Sequence, residues 1–308
     1  MQPNHSRRRF LQQATGTSLA ALGVALSPAA FNTPAQAIEP IARTAGHHFK
    51  FSLAAYSYRE QLLGDKPELT LVDFIDDCAK LGLDGTELTS YYFPKDPTPE
   101  FLRSLKAAAF TRGLDVSGTA VGNDFCHLAG ETRDKQIASV KTWVDRAAIL
   151  GAPVIRIFSG NVKEGQSVAE AEQQAVSAIE ECCDYAGQHG VFLALENHGG
   201  LTETAAGLLS LVKAVKSPWF GVNLDTGNFH SNDPYAELAQ LAPYAINVQI
   251  KVVMKPNNGK AEPTDFSRLA GMLRESGYRG YIVLEFEEAG DPRVECPMYM
   301  EKIRAAFV

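Results

Sequence analysis

The 308-residue sequence contains no Cys-x-x-Cys pair, no Gly-x-Gly-x-x-Gly or Gly-x-x-x-x-Gly-Lys turn, and no Pro/Gly/Ser-rich linker. Each absence removes a class of protein. Without paired thiols there is no zinc ribbon or thioredoxin-type redox centre. The five cysteines, Cys78, Cys126, Cys182, Cys183 and Cys296, are odd in number and scattered except for one adjacent pair. A chain this long needs no disulfide staples, so they read as small core residues. Without a glycine-rich phosphate turn after a strand, a doubly wound nucleotide-binding sheet has no local support. Without a linker, the chain beyond its first segment reads as one domain. Long apolar runs are also missing. The apolar part of the uncharged stretch near the amino terminus, Leu19–Ala30, is rich in Ala and Gly and broken by Pro28. A spanning helix needs about 20 strongly apolar residues.

That first segment has another reading. "SRRRFL" (Ser6–Leu11) supplies a basic start, Leu19–Ala30 a short apolar middle, and "AQA" (Ala35–Ala37) a small-x-small cleavage site. Together they make an export signal, and the arginines followed by Phe-Leu resemble a twin-arginine signal. The expectation is therefore a cleaved signal over 1–37, a mature domain over 38–308 and a periplasmic protein with no stable membrane insertion. The segment takes three arginines and no acid with it, so the formal charge moves from −7 to −10. A domain that acidic repels nucleic acid and anionic lipid and attracts cations.

The full chain is 45% hydrophobic, enough for a large core. Eight short apolar runs recur through it: 51–57, 85–90, 114–121, 153–160, 191–197, 220–227, 246–252 and 281–287. Most are continuously apolar, as parallel strands covered on both faces should be. Helical patterns separate them. Thr70 with Asp73 and Ser167 with Glu170 form capping boxes, and Thr98-Pro99 puts proline at a first helical position. Over 71–81 the pattern sets Leu71, Ile75, Cys78 and Ala79 on one face and Asp73, Asp76 and Asp77 away from it. Gly113, Gly151, Gly190 and Gly277 stand just before strands, where helices end. Eight alternating strands and helices predict an α/β fold, a single (β/α)8 TIM barrel.

In such a barrel the site lies at the carboxyl ends of the strands. Those ends carry Glu87, Arg156, Glu196 with His198, Asp225 with Asn228 and His230, Gln249 with Lys251, and Glu285 with Glu287. Buried carboxylates must be protonated, ion-paired or metal-bound. One reading is a network of salt bridges to Arg156 and Lys251. The other, favoured because two cations are few for these acids, is a divalent ion on Glu196, Asp225, Gln249 and Glu285. All-oxygen ligation favours Mn²⁺ or Mg²⁺ over Zn²⁺. Arg156 and Glu87 either bind substrate hydroxyls or pair with each other. The loop "SGNVKEG" (159–165) offers a weak anion contact.

The combination "ALENHGG … NLDTGN … VQIKV … LEFE", with "GLDGTELTSYYFP" and "VIRIFSG", resembles the xylose isomerase-like barrel superfamily of sugar phosphate isomerases and epimerases. The resemblance spans essentially all of 38–308. In that family a Glu, an Asp, a His and a Glu on strands 5 to 8 hold one divalent metal. Glu196, Asp225 and Glu285 match, whereas Gln249 stands where histidine is usual and Val252 where an acid often follows the lysine. The resemblance implies a Mn²⁺-dependent isomerase or epimerase of a ketose or related keto-sugar, with Mg²⁺ or Co²⁺ as substitutes. Glu196 and Glu285 would be acid and base, and His198, Glu87, Arg156, Asn228, His230 and Lys251 would bind the carbohydrate. The same enediolate can expel a β-substituent, so a dehydratase or lyase acting on a keto-sugar or keto-inositol is the alternative. A non-catalytic sugar-binding barrel using Tyr91, Tyr92 and Phe93 is the non-enzymatic one. Homo-oligomerisation stays open.

The export reading has a direct check. Mass spectrometry of protein recovered from its native envelope should find a chain beginning at Ile38. An intact Met1–Ala37 segment in the membrane fraction would mean an anchor instead.

Overall fold

The computed structural model describes residues 39–64, 66–257 and 260–308. The expected export signal, residues 1–37, lies outside them. Eight parallel strands close into a barrel: β1 (His48–Ala54), β2 (Gly85–Thr89), β3 (Asp115–Ala120), β4 (Val154–Ile157), β5 (Phe192–Glu196), β6 (Phe220–Asp225), β7 (Ala245–Ile250) and β8 (Arg279–Leu284). Each pairs with its neighbours in sequence, and β8 pairs with β1 to complete the ring. Parallel neighbours cannot be joined by tight turns, so a helix carries each return crossover. These are α1 (Leu71–Lys80), α2 (Pro99–Thr111), α3 (Glu131–Leu150), α4 (Val168–Gln188), α5 (Ala205–Ala214), α6 (Pro234–Leu241) and α7 (Phe266–Glu275), with α8 (Pro292–Phe307) after β8. The result is the (β/α)8 barrel that the strand and helix alternation predicts. Among the described residues no helix is long and apolar enough to cross a membrane.

Local chemistry accounts for the helix boundaries. Both expected capping boxes form, Thr70 with Asp73 and Ser167 with Glu170, and Thr98 caps α2 ahead of Pro99. Gly113, Gly151, Gly190 and Gly277 adopt φ between 68° and 80°, left-handed values that glycine takes without steric cost. The core lies between the barrel wall and the helices. In β5, Leu193 and Leu195 are fully buried, and alternation puts Ala194 on the face of Glu196. All five cysteines are buried free thiols; Cys182 and Cys183 belong to α4 and Cys78 to α1.

One expectation for α1 is corrected. Asp77 does not point into solvent: it is buried, with Lys80 Nζ 2.9 Å from Oδ1 and Arg293 Nε 2.6 Å from Oδ2. Helix α8 returns to cover α1 and brings Arg293 with it, a tertiary contact that the period of one helix cannot reveal. The strand ends also move. The chain leaves the barrel after Ala54 in a tight helical turn, Ala55–Tyr58, where Ser57 Oγ accepts a 2.9 Å bond from Phe286 N–H. Glu285 lies one residue past β8 and still donates its N–H to Ile250 at 3.0 Å.

Candidate active site

At the carboxyl end of the barrel, five carboxylates meet two cations. Glu87 comes from β2, Glu196 from β5 and Asp225 from β6; Glu285 and Glu287 follow β8. Arg156 projects from β4 and Lys251 follows β7. Arg156 and every carboxylate except Glu287 are buried, as is Lys251. Arg156 Nε lies 2.9 Å from Glu196 Oε2. Its Nη1 donates to the Val121 carbonyl at 3.2 Å, and its guanidinium rests 4.0 Å above the Phe158 ring. Glu196 Oε1 accepts a 2.8 Å bond from Asn228. Lys251 Nζ stands 2.8 Å from Glu285 Oε1, 2.9 Å from Glu287 Oε1 and 3.3 Å from Asp225 Oδ2.

Beneath these pairs lies a closed ring of amides around Glu87. Gln249 Nε2 donates to Glu87 Oε1 at 2.7 Å, and Asn247 Nδ2 donates to Oε2 at 3.0 Å. Asn247 also donates to Asn223 Oδ1 at 2.8 Å, and Asn223 Nδ2 donates to Gln249 Oε1 at 2.6 Å. An ionised carboxylate only accepts, so Glu87 orients both amides that reach it, and they in turn orient Asn223. Of the two readings for Glu87 and Arg156, mutual pairing is not what forms: Arg156 goes to Glu196, and Glu87 is satisfied by neutral donors.

Burial sets the electrostatics. It pushes the Glu87 carboxyl up to about 7, with the charge of Glu285 adding to the shift and the bonds from Asn247 and Gln249 opposing it. Burial also raises Glu196, against the pull of Arg156 and with the push of Glu285. Asp225 is raised by burial, against Lys251 and with Glu196 and Glu285. For the cations the balance reverses. Burial opposes the Lys251 charge, but Asp225, Glu285 and Glu287 outweigh it and hold its pKa well above the usual range. The carboxylates therefore repel one another across a space that two cations do not fully neutralise.

Several of these positions depend on small residues. Asn197, next to Glu196, ties β5 to β6 by accepting from the Asp225 N–H at 2.9 Å and donating to the Asp225 carbonyl at 2.8 Å. The Lys251 backbone is clamped by Thr226 Oγ1 at 2.9 Å and by Thr264 Oγ1 at 2.7 Å. A Cβ on Gly227 would stand 2.5 Å from Lys251 Cγ, so glycine there makes room for the lysine stem.

The remaining candidates lie further out. His198 is exposed, its ring 4.5 Å from that of Phe158. His230 is exposed and bonded through Nδ1 to the Lys255 carbonyl at 3.0 Å. Both belong to the rim rather than to the carboxylate cluster. Lys163, in the loop considered for anion binding, is paired with Asp124. Sequence reasoning missed Asn223, Asn197, Phe158 and the hydrogen bond that the Arg156 guanidinium donates to the Tyr91 hydroxyl. Asn223 was legible in principle, since it stands two residues before Asp225 and so shares its face.

A divalent ion would meet a suitable donor set here. Every nearby acceptor is oxygen, negative charge is in excess, and Asp225 Oδ2 is buried without a hydrogen bond. Gln249 Oε1 keeps a second lone pair beyond Asn223. Among the described residues, however, no three His, Cys, Asp or Glu side chains are drawn together as a ready-made metal cluster. The Lys251 ammonium stands between Asp225 and Glu285 instead.

The Xylose isomerase-like TIM barrel family profile matches residues 75–302. The chain belongs to that family. It is 26% identical over 230 residues to a 3-dehydroshikimate dehydratase from Bacillus anthracis, covering 68% of this chain and 76% of that one. Among solved structures it resembles a D-psicose 3-epimerase from Clostridium cellulolyticum H10, described with D-tagatose. The TM-score is 0.70 at 19% identity, over 84% of this chain and 99% of the epimerase. A 3-keto-D-glucoside 4-epimerase from E. coli superposes with a TM-score of 0.65 at 16% identity, over 83% and 99% of the two chains. At those identities the two structures establish the shared fold.

The raised Glu87 carboxyl has a measurable consequence. Its folded-state pKa exceeds the unfolded one, so the folded state binds the extra proton between the two values. Stability is then highest at the acid end and falls as pH rises from about 4.5 to about 7. Glu87→Gln should remove one proton's share of that fall, at most about 1.4 kcal/mol per pH unit. Urea unfolding of the chelator-treated protein across pH 5 to 8 measures it. Equal slopes in both proteins would mean that Glu87 does not titrate there.

Proposed function

We propose that the protein is a divalent-metal-dependent isomerase or epimerase of a ketose or related keto-sugar, working by proton transfer beside a carbonyl. The observation that carries this reading is the pair Glu196 and Glu285. Both are buried, and each lies against a different cation, Arg156 at 2.9 Å and Lys251 at 2.8 Å. They also stand three strands apart on the ring, on β5 and just after β8, with β6 and β7 between. Two carboxylates so separated can address opposite faces of one carbon.

Glu196, Asp225, Gln249 and Glu285 would hold the metal, Mn²⁺ in preference to Mg²⁺ or Co²⁺ on the all-oxygen donor set. When bound, the ion supplies Lewis-acid polarisation of adjacent carbonyl and hydroxyl oxygens. The chain does the rest. One glutamate takes the proton from the carbon next to the carbonyl, and the other returns a proton to the opposite face or to the neighbouring carbon. Burial suits Glu196 to this task because it lifts the carboxyl toward neutrality, where a base can both take and give back a proton. Arg156 and Lys251 lie where they can donate to oxygens that gain charge during the transfer. His198, Asn228 and His230 line the approach as carbohydrate contacts, with His198 and Phe158 offering ring faces. Glu87 acts indirectly, by fixing the Gln249 amide. The protein acts after export, on a carbohydrate outside the cytoplasm.

A second reading has its own support. The dehydratase relative favours elimination, in which the same proton abstraction is followed by loss of a β-hydroxyl rather than reprotonation. Both outcomes require the same base, and the product distinguishes them.

Glu196→Gln and Glu285→Gln keep an oxygen in place and remove the base. Each should lower kcat by roughly 10²-fold or more while leaving the protein folded. The assay is a panel of ketoses and 3-keto-glycosides followed by NMR. Near-native turnover by both variants would reject the two-carboxylate scheme, and release of water from the substrate would select the dehydratase.

A further inference from the structure

The Lys251 ammonium touches carboxylates at three depths. Asp225 is fully buried, Glu285 nearly so, and the Glu287 side chain is 38% exposed. The deepest contact is the longest: 3.3 Å to Asp225 Oδ2, against 2.8 and 2.9 Å to Glu285 and Glu287. Asp225 Oδ2 receives no hydrogen bond from the ammonium at that distance. The base of the side chain cannot wander, because Thr226 and Thr264 clamp the backbone and Gly227 leaves the stem a fitted channel. Only the tip has a choice of partners. Two of those partners, Asp225 and Glu285, belong to the donor set assigned above to the divalent ion.

We infer that Lys251 is an exchangeable counter-ion whose seat on Asp225 and Glu285 and the binding of a divalent cation exclude each other, with Glu287 as the seat the ammonium keeps when the cation is present. This rests on the metal reading of the site, and it explains why three carboxylates converge here without forming a ready-made cluster. An ammonium and a dication cannot share the same two carboxylates without strong repulsion in so dry a place. Without a dication, the lysine spares the site two uncompensated buried charges. With one, Glu287 lets the ammonium withdraw without being left unpaired. Glu287 then touches neither substrate nor metal; it sets metal affinity through Lys251, as a positioning residue.

Calorimetric titration of the chelator-treated protein with MnCl₂ tests this without any assay of turnover. Lys251→Met should bind Mn²⁺ at least about tenfold more tightly than the native protein, because the competing charge is gone. It should also show a larger rise in Tm on adding the metal, since its metal-free form carries unpaired carboxylates. Glu287→Gln, a change at the most exposed of the three seats, should bind Mn²⁺ about tenfold more weakly, because the ammonium loses its outer partner. In the Lys251→Met background the same Glu287→Gln change should have little effect, whereas simple loss of a nearby negative charge would weaken both backgrounds equally. Native protein that binds Mn²⁺ while Lys251→Met binds it no better overturns the competition and leaves the metal reading standing. Glu287→Gln with native affinity does the same even if Lys251→Met does not fold. Absence of Mn²⁺ binding in the native protein and in a folded Lys251→Met removes the metal reading and this inference together.

Discussion

Negative charge buried in excess of its counter-charge governs the carboxyl end of this barrel. Carboxylates from β2, β5, β6 and the chain after β8 converge where water is largely excluded, and Arg156 and Lys251 are the cations among them. Much of the surrounding detail answers that imbalance. Glu87 is relieved by amide donors rather than by a cation. Glu196 shares Arg156 with the Phe158 ring face. Lys251 is divided among three acids, and its stem and backbone are held so that the charge arrives in one place. Negative charge left in excess in so dry a place is what an incoming cation can exploit.

The barrel was legible because its signals are local and repeated. Eight apolar runs, three cap signatures and four glycines before strands each state a boundary, and the structure reproduces them within a few residues. The residues that converge were legible for a related reason: in a closed parallel barrel every strand points the same way, so all the strand ends share one rim. What the chain order could not reveal was who pairs with whom. Arg156 was as well placed by sequence for Glu87 as for Glu196. The choice depends on the amides of Asn247 and Gln249 reaching Glu87 from β7, 160 and 162 residues along the chain. Asp77 was misjudged for the same reason, since its partner Arg293 lies 216 residues along the chain. Long side chains choose among partners by tertiary geometry, and periodicity carries no information about it.

Gln249 illustrates how far the influence of one side chain reaches. A neutral imidazole also has one in-plane donor and one acceptor, but on two ring nitrogens that point apart, whereas the amide carries both on one carbon. The ring through Glu87, Asn247 and Asn223 uses both functions of the Gln249 side chain. The amide at 249 and the asparagines at 223 and 247 therefore form one structural unit under the site. The glutamates at 196 and 285 stand above it with their cations. The isomerase and dehydratase readings share this upper layer, and they diverge only after the proton has left carbon.

Both proposed reactions begin by removing a proton from the carbon beside a carbonyl, and the fate of that hydrogen reports whether they do. A substrate found by screening should be turned over in deuterated water and its product read by NMR. The account predicts solvent deuterium at the carbon beside the carbonyl. In the complementary experiment, a substrate deuterated at that carbon and turned over in ordinary water should give product from which the label has washed out. Product that keeps the label, moved intact to the neighbouring carbon with none gained from solvent, would mean a hydride shift and would contradict the account.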